Sequence, residues 1–459
     1  GYVTIQPSGA AFTNAFFTGN YSFASTLSGL TVGNASSSTN SNITVNGTAL
    51  SISGTINLYG GNVTINSALT ATSSGIIRLR SDTGAVTQNS SGIITTAGLA
   101  LMGGNATLTA ANNVTTLAAQ SMGTLSFVNA GNLTVAQVNP TGVAANGAVS
   151  ISTQSGNLTI TEAITTNSTA SNAVVLNAGT STAAGTATGG NILISGNGTV
   201  SVGSGGGGVL YTGSIANSTG VTALVGSGTG NFRYNSNASS QGYTLAINGS
   251  AISAVYRERP SLTITGSAAN VTYGAVTFGT TSNAVNGDSY AQIFASNAQP
   301  SSTVSNGAYA TSGNLNVGNY TLVVTGSSSN LLGYATPSYV NGSVQVNKAT
   351  LTASGAVVSN LTYNNSTVAS FSSNGALSGV LSNGTSDVVT VVANGNFSTT
   401  NVGSNLAVAM NSSLRGTDAG NYQLTQQTGV TGNITKRTVS LADTQVYSGS
   451  NALTNVSIS

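Results

Sequence analysis

A short turn followed by a short β-branched run recurs along the first half of this chain, and a single copy of that unit cannot bury a face of its own. The copies include Ser41-Asn42-Ile43-Thr44-Val45, Gly61-Asn62-Val63-Thr64-Ile65, Gly104-Asn105-Ala106-Thr107-Leu108, Gly131-Asn132-Leu133-Thr134-Val135, Gly156-Asn157-Leu158-Thr159-Ile160 and Gly190-Asn191-Ile192-Leu193-Ile194. Gly or Asn accepts the left-handed turn position at low steric cost. The residues that follow alternate apolar and polar with the period of a strand. Spacings near 20 residues or somewhat longer match one three-sided coil with variable loops, and units of that kind must stack on their neighbours. The expected fold is all-β: a right-handed parallel β-helix (a solenoid) over residues 1–255. About a dozen coils at roughly 4.8 Å each would give a rod near 60 Å long.

The side chains that are missing narrow the function. Charged residues make up 3% of the 459, there is no His and no Cys, and nine Lys and Arg face seven Asp and Glu. An average soluble domain is about a quarter charged. Without cysteine there is no disulfide or thiol chemistry, and without histidine no unperturbed side chain titrates between about pH 5 and 8. The basic residues are too scattered for nucleic acid or an anionic membrane surface. No apolar run approaches the roughly 18 residues that span a bilayer.

The acids Asp82, Glu162, Glu258, Asp288, Asp387, Asp418 and Asp443 lie far apart in sequence. The local acid–base groupings are Arg78/Arg80/Asp82, read as a solvated coil edge, and Arg257/Glu258/Arg259, read as an inter-domain salt-bridge cluster. The glycine run Gly205–Gly208 lacks the Lys-Ser/Thr of a phosphate loop and reads as a flexible corner. No catalytic, cofactor or metal site is expected.

At Val255-Tyr256-Arg257-Glu258-Arg259-Pro260 the texture changes, and two longer modules follow, at 256–347 and 348–435. Both contain an Asn-Val-Gly landmark (Asn316–Gly318, Asn401–Gly403) and a Gly-Asn-Tyr landmark (Gly318–Tyr320, Gly420–Tyr422). Asn347-Lys348-Ala349-Thr350 and Thr435-Lys436-Arg437-Thr438 open the next module each time, so residues 436–459 read as the start of a further, truncated one. Strands separated by Gly/Asn/Ser turns suggest tandem small β-sandwich-like modules. With no initiator Met at Gly1 and a stop in mid-pattern at Ser459, the chain reads as an internal or processed piece of something longer.

The runs Leu125 to Thr134, Val149 to Thr153 and Val174 to Gly179 resemble the β-helical repeats of filamentous-haemagglutinin-like exoproteins of two-partner secretion. The Tyr256 to Ile264 segment followed by Thr272-Tyr273-Gly274 resembles the glycine-rich MBG modules that follow such repeats. The next module resembles the related YDG modules, although the name-giving Tyr-Asp-Gly-Thr-Thr reads here as Tyr363-Asn364-Asn365-Ser366-Thr367. The resemblance implies export through an outer-membrane secretion pore partner, an extracellular place on a Gram-negative bacterial surface, and a role in adhesion, biofilm or contact with other cells. Cell-surface or matrix glycans and other copies of the chain, in a filament or lateral bundle, are the partners it implies.

Asn-X-Ser/Thr sequons are the sharpest local signal. They fall at Asn42, Asn62, Asn105, Asn113, Asn132, Asn157, Asn167, Asn197, Asn217, Asn237, Asn248, Asn270, Asn319, Asn341, Asn360, Asn383, Asn396, Asn411 and Asn433, and also at Asn20, Asn34, Asn46 and Asn455. The Gly-Asn-Val-Thr grammar produces sequons for structural reasons alone. Some relatives, the high-molecular-weight adhesins, carry hexoses at such positions, so these asparagines are candidate glycosylation sites. The expected function is that of a secreted surface fibre or adhesin shaft, not an enzyme. The alternatives are a stalk that presents a distal receptor-binding or toxin domain and, remotely, a β-helical polysaccharide-active enzyme.

Overall fold

The structure is a computed structural model that describes residues 1–267, 270–296, 298–442 and 457–458. Asp443, Asn455 and the Tyr447 to Ser450 stretch of the 436–459 segment lie outside the described residues. The fold is all-β, and its largest part is a set of 24 strands joined through parallel pairings.

The repeated units become strands as their alternation dictates. In Ile43–Val45, Val63–Ile65, Leu133–Val135 and Leu158–Ile160 the outer two residues are buried and the central Thr is half-exposed. Each strand pairs with the corresponding strand one repeat later. Ile43 lies opposite Val63, and Val63 opposite Val86. Leu133, Leu158 and Ile192 follow one another in the same way. A second ladder runs Phe127, Ile151, Leu176, Leu210 and Ala254, all inaccessible or nearly so. A third carries Leu30, Ile56, Ile77, Leu99 and Leu117, also fully buried. Burying each such side chain contributes about 1.5–3 kcal/mol, and like stacks on like with no change of register.

The last of these strands, Ile252–Tyr256, pairs with Gly208–Thr212 and with Phe232–Arg233. Among the described residues helix is confined to short turns such as Val221–Val225 and Tyr290–Ile293. Among the described residues no helix is long and apolar enough to cross a membrane.

Within the glycine run Gly205 is exposed, with nothing near its Cβ position, but the other three glycines are packed. Gly206, Gly207 and Gly208 are buried, and a Cβ on Gly207 would sit 2.3 Å from the Gly249 carbonyl oxygen. Glycine is required there because two backbone segments touch.

Contact clustering divides the chain into two compact units. The first holds Gly1–Ile264, Ser282–Pro300 and Gly326–Ser338; the second holds Thr265–Thr281, Ser301–Thr325 and Tyr339–Ser459. Residues 256–347 therefore contribute to both.

In the first unit, Tyr234 donates its amide hydrogen to the Leu332 carbonyl and Leu331 donates to Ile293. The second unit contains two four-stranded sheets of one design. In the first of these, Val271–Thr272 runs parallel to Gly342–Asn347, which is antiparallel to Gly318–Thr325, itself antiparallel to Ser301–Ser305. In the other, Leu361–Thr362, Thr431–Thr435, Gly403–Met410 and Gly395–Phe397 repeat that order and those directions. The Asn-Val-Gly landmarks open equivalent strands in the two sheets. The Gly-Asn-Tyr landmarks do not: Gly318 begins the third of those strands, whereas Tyr422 begins a strand, Tyr422–Thr425, that pairs with Ala349–Val358.

Candidate functional site

Sequon asparagines such as Asn42, Asn62, Asn132 and Asn157 sit just before strands, whereas Asn113, Asn319, Asn383, Asn396 and Asn433 lie within strands, and the structure gives several of the first kind a backbone partner. Asn34, Asn46, Asn62, Asn157, Asn237 and Asn433 are half-buried; the other described candidates are exposed. The Oδ1 of Asn132 accepts the amide hydrogen of Asn157 at 2.7 Å, and that of Asn157 accepts Asn191 at 2.9 Å. Asn191 in turn accepts Ser214 at 2.7 Å. Asn42 takes both the amide and the side-chain nitrogen of Asn62, and Asn62 takes the Ala85 amide. Asn105 accepts the Thr124 amide. The steps of 20, 25 and 34 residues are the repeat lengths. A side-chain oxygen on one repeat thus satisfies an amide of the next, which a corner outside the strands would otherwise leave to water.

A second set of polar side chains is buried. Asn112 is inaccessible, lies opposite Asn129, and Asn129 lies opposite Thr153. Asn112 accepts the Ile94 amide and donates to the carbonyls of Leu108, Ala110 and Val128. Asn129 accepts the Val114 amide and donates to the carbonyls of Val114, Gly131 and Asn132. These residues are not sequon asparagines, and the sequence offered no signal for them beyond an asparagine ending an apolar run.

The charge cluster at 257–259 is not a salt-bridge cluster. Arg257 is buried, and its guanidinium donates to the carbonyl oxygens of Ala178, Thr188 and Gly190. Desolvation lowers its pKa. Glu258 instead accepts the Ile215 amide at 2.6 Å, and Arg259 is exposed. Arg233 repeats the pattern, donating to the carbonyls of Gly230, Phe232, Leu245 and Ala246. With so few carboxylates in the chain, these guanidinium groups donate to backbone carbonyls instead.

The one ion pair among the described residues joins Arg80 to Asp82 at 2.7 Å. Asp82 also accepts the amide and side-chain nitrogens of Asn40, so the group is tied into the structure rather than solvated at an edge. Arg80 donates to the carbonyls of Asn34, Ala35 and Ser37 and lies over the Tyr59 ring at 4.8 Å. Arg80, Asp82 and Tyr59 line a surface cleft of about 710 Å³ together with Arg78, Gln120 and Asn139. Arg78 reaches Asn57 at 3.4 Å. The cleft can offer a polar ligand guanidinium and carboxamide donors.

The remaining described carboxylates also have hydrogen-bond partners. Glu162 accepts from Asn197. Asp288 accepts the hydroxyls of Tyr234 at 2.6 Å and Tyr334 at 2.8 Å, and its burial raises its pKa. Asp387 accepts the hydroxyls of Tyr273 at 2.6 Å and Tyr422 at 2.5 Å and the Ser312 amide at 3.0 Å. Burial pushes the Asp387 carboxyl up, but these donors outweigh it and hold it below the usual carboxylate range. Tyr273 is correspondingly pushed up to about 12 by burial and by its bond to Asp387. Asp418 accepts the amides of Thr311 and Val388. Each of these carboxylates accepts donors that belong to the fold, although the Oδ1 of Asp288 is buried without a hydrogen-bond partner.

Residues 347–429 match the family model of the YDG domain. Comparison with curated proteins and with solved structures gave no match. The match covers the stretch where Asn364 and Asn365 replace the name-giving Asp-Gly. Asn364 accepts the Ser366 amide at 3.0 Å, and Asn365 takes the left-handed conformation at φ +61°. A carboxamide closes the turn as a carboxylate would, and asparagine tolerates the position that glycine otherwise fills.

Proposed function

We propose that residues 1–255 form a right-handed parallel β-helix, continued by tandem β modules at 256–347 and 348–435, and that the whole is part of the shaft of a secreted bacterial surface fibre. The observation that carries this reading is the set of in-register parallel ladders, in which aliphatic residues stack on aliphatic residues from repeat to repeat. Such an element supplies length and stiffness and needs no cofactor. The YDG domain, the scarcity of charge and the resemblance to filamentous-haemagglutinin-like exoproteins support an extracellular place, export through an outer-membrane pore partner, and an adhesive role. Rows of Ser, Thr and Asn give many weak contacts whose avidity accumulates. The described carboxylates accept donors of the fold, which favours a structural over a catalytic reading of them.

The cleft beside Arg78 and Tyr59 favours a second, compatible reading in which the shaft itself contacts a receptor through a defined pocket. Glycosylation at the exposed sequons would hydrate a surface poor in charge.

Antibody labelling of the producing cell in the electron microscope tests the main reading. Label along surface fibres is expected; label confined to the cell interior would refute it. Intact mass of natively sourced chain tests the sugar: a mass equal to the bare polypeptide rules it out.

A further inference from the structure

The two four-stranded sheets of the second unit share strand order, directions and the register where their first three strands meet, although the second carries a register shift between Gly403 and Leu406 that the first lacks; their burial differs. Val271 lies opposite Val346 and Thr272 opposite Asn347; Leu361 lies opposite Ile434 and Thr362 opposite Thr435. The Tyr273 amide donates to the Asn347 carbonyl at 2.7 Å, as the Tyr363 amide donates to Thr435 at 2.9 Å. Gly318 and Gly403, each closing an Asn-Val-Gly, face Val346 and Ile434. Tyr363 therefore stands where Tyr273 does and Val402 where Val317 does. Counting on from the paired Asn347 and Thr435, Arg437 stands where Ala349 does and Val439 where Leu351 does.

The first of these faces is covered. Tyr273 is 3% exposed and Leu351 is inaccessible. Tyr273, Leu315 and Val346 share one core with Ala349, Leu351 and Tyr422, and Val317 packs against it. The Tyr273 and Tyr422 rings meet edge-on at 5.2 Å. Polar groups of the following module close the rim. Asp387 takes the Tyr273 hydroxyl and the Ser312 amide. Asp418 takes the Thr311 amide, Asn421 takes the Val317 amide at 2.9 Å, and the Asn421 side chain donates to Asn316 at 2.8 Å. All three acceptors belong to the segment matched by the YDG family model.

Among the described residues the second face is open. Tyr363 is 38% exposed, Val402 44% and Val439 56%. They border a surface cavity of about 570 Å³ that also takes in Arg437. Exposed apolar side chains in one patch mark an interaction surface, and the fold already contains the occupied version of this one.

We propose that the face formed by Tyr363, Val402 and Val439 is a docking socket for a further module of the YDG type, placed in the same chain after Lys436. That module would accept the Tyr363 hydroxyl through an aspartate equivalent to Asp387 and the Val402 amide through an asparagine equivalent to Asn421. Its first strand would bury Val439 as Leu351 is buried now. The inference goes beyond the fibre reading, and its test does not depend on where the protein resides.

The test is a chain in which residues 348–435 are duplicated directly after Thr435, studied beside the parent. Hydrogen exchange at the Val402 amide of the first copy is expected to slow more than tenfold relative to the parent. Tyr363→Asp in the first copy should abolish that protection, yet be tolerated in the parent, where the face is uncovered. Tyr363→Phe in the first copy and Asp387→Asn in the second should be strongly non-additive in thermal unfolding. An added copy that stays unfolded, or that folds while Val402 exchanges as in the parent, overturns the proposal. Protection that appears only with rising protein concentration assigns the face to a second chain and overturns it equally.

Discussion

Asparagine does two different jobs in this chain, and burial separates them. Asn105 is exposed and holds one amide of the next repeat, whereas Asn112 is inaccessible and satisfies donors and acceptors on several strands. Asn105→Ala is expected to cost about 0.5–1.5 kcal/mol, because water can take over the amide. Asn112→Ala should cost about 3 kcal/mol or more, since several buried polar groups lose their partner at once; urea unfolding of both variants checks the contrast. The turn-capping asparagines were legible, because Gly-Asn-X-Thr announces a corner and the strand after it. Asn112 and Arg257 were not. An asparagine beside a sequon looks like any other, and an arginine next to a glutamate looks like half of an ion pair until the nearest acceptors prove to be carbonyls.

Asp387 gives the pH dependence. Its carboxyl is held below its ordinary value in the folded state, so its contribution is fully present above about pH 4, where the unfolded carboxylate is also ionised. It is lost as pH falls through the folded value. Asp387→Asn should destabilise the second unit by about 1.5–3 kcal/mol at pH 7 and flatten the acid limb of its unfolding curve, followed by hydrogen exchange from pH 2 to 7.

At the scale of the element, the strands were the most legible part of the molecule. Three-residue runs such as Leu158–Ile160 alternate apolar and polar, and a parallel neighbour with the same pattern makes the register unambiguous. Ile151 lies between Phe127 and Leu176 in one ladder and is inaccessible. Ile151→Ala is expected to lower stability by about 2–5 kcal/mol, read from denaturant unfolding with an unchanged m-value. Two elements were harder to read. The strand Asn105–Met122 shifts register between Leu108 and Asn112, where Asn112 fills the break. Gly206 to Gly208 looked like slack, since glycine serves equally for freedom and for close approach; here the approach of Gly249 decides.

For the whole molecule, sequence order hides part of the packing. Ser282–Pro300 and Gly326–Ser338 belong to the first unit although they lie inside the stretch read as a separate module. Asp288, Tyr234 and Tyr334 hold them to it through hydroxyl–carboxylate bonds that span dozens of residues and leave no local pattern. The two equivalent sheets, by contrast, were foreshadowed by Asn316–Gly318 and Asn401–Gly403, because that landmark opens the same strand in each.

The central claim is that the first unit is a stack of interchangeable coils, and removing one coil tests it most directly. Residues 132–156 make up one step of 25 residues, after which Asn157 can take the place of Asn132 on the preceding repeat. The deletion should leave a folded protein with cooperative urea unfolding, whereas removal of only 132–144 should break the register and unfold the unit. Equal loss of cooperative unfolding in both deletions would contradict a stack of coils.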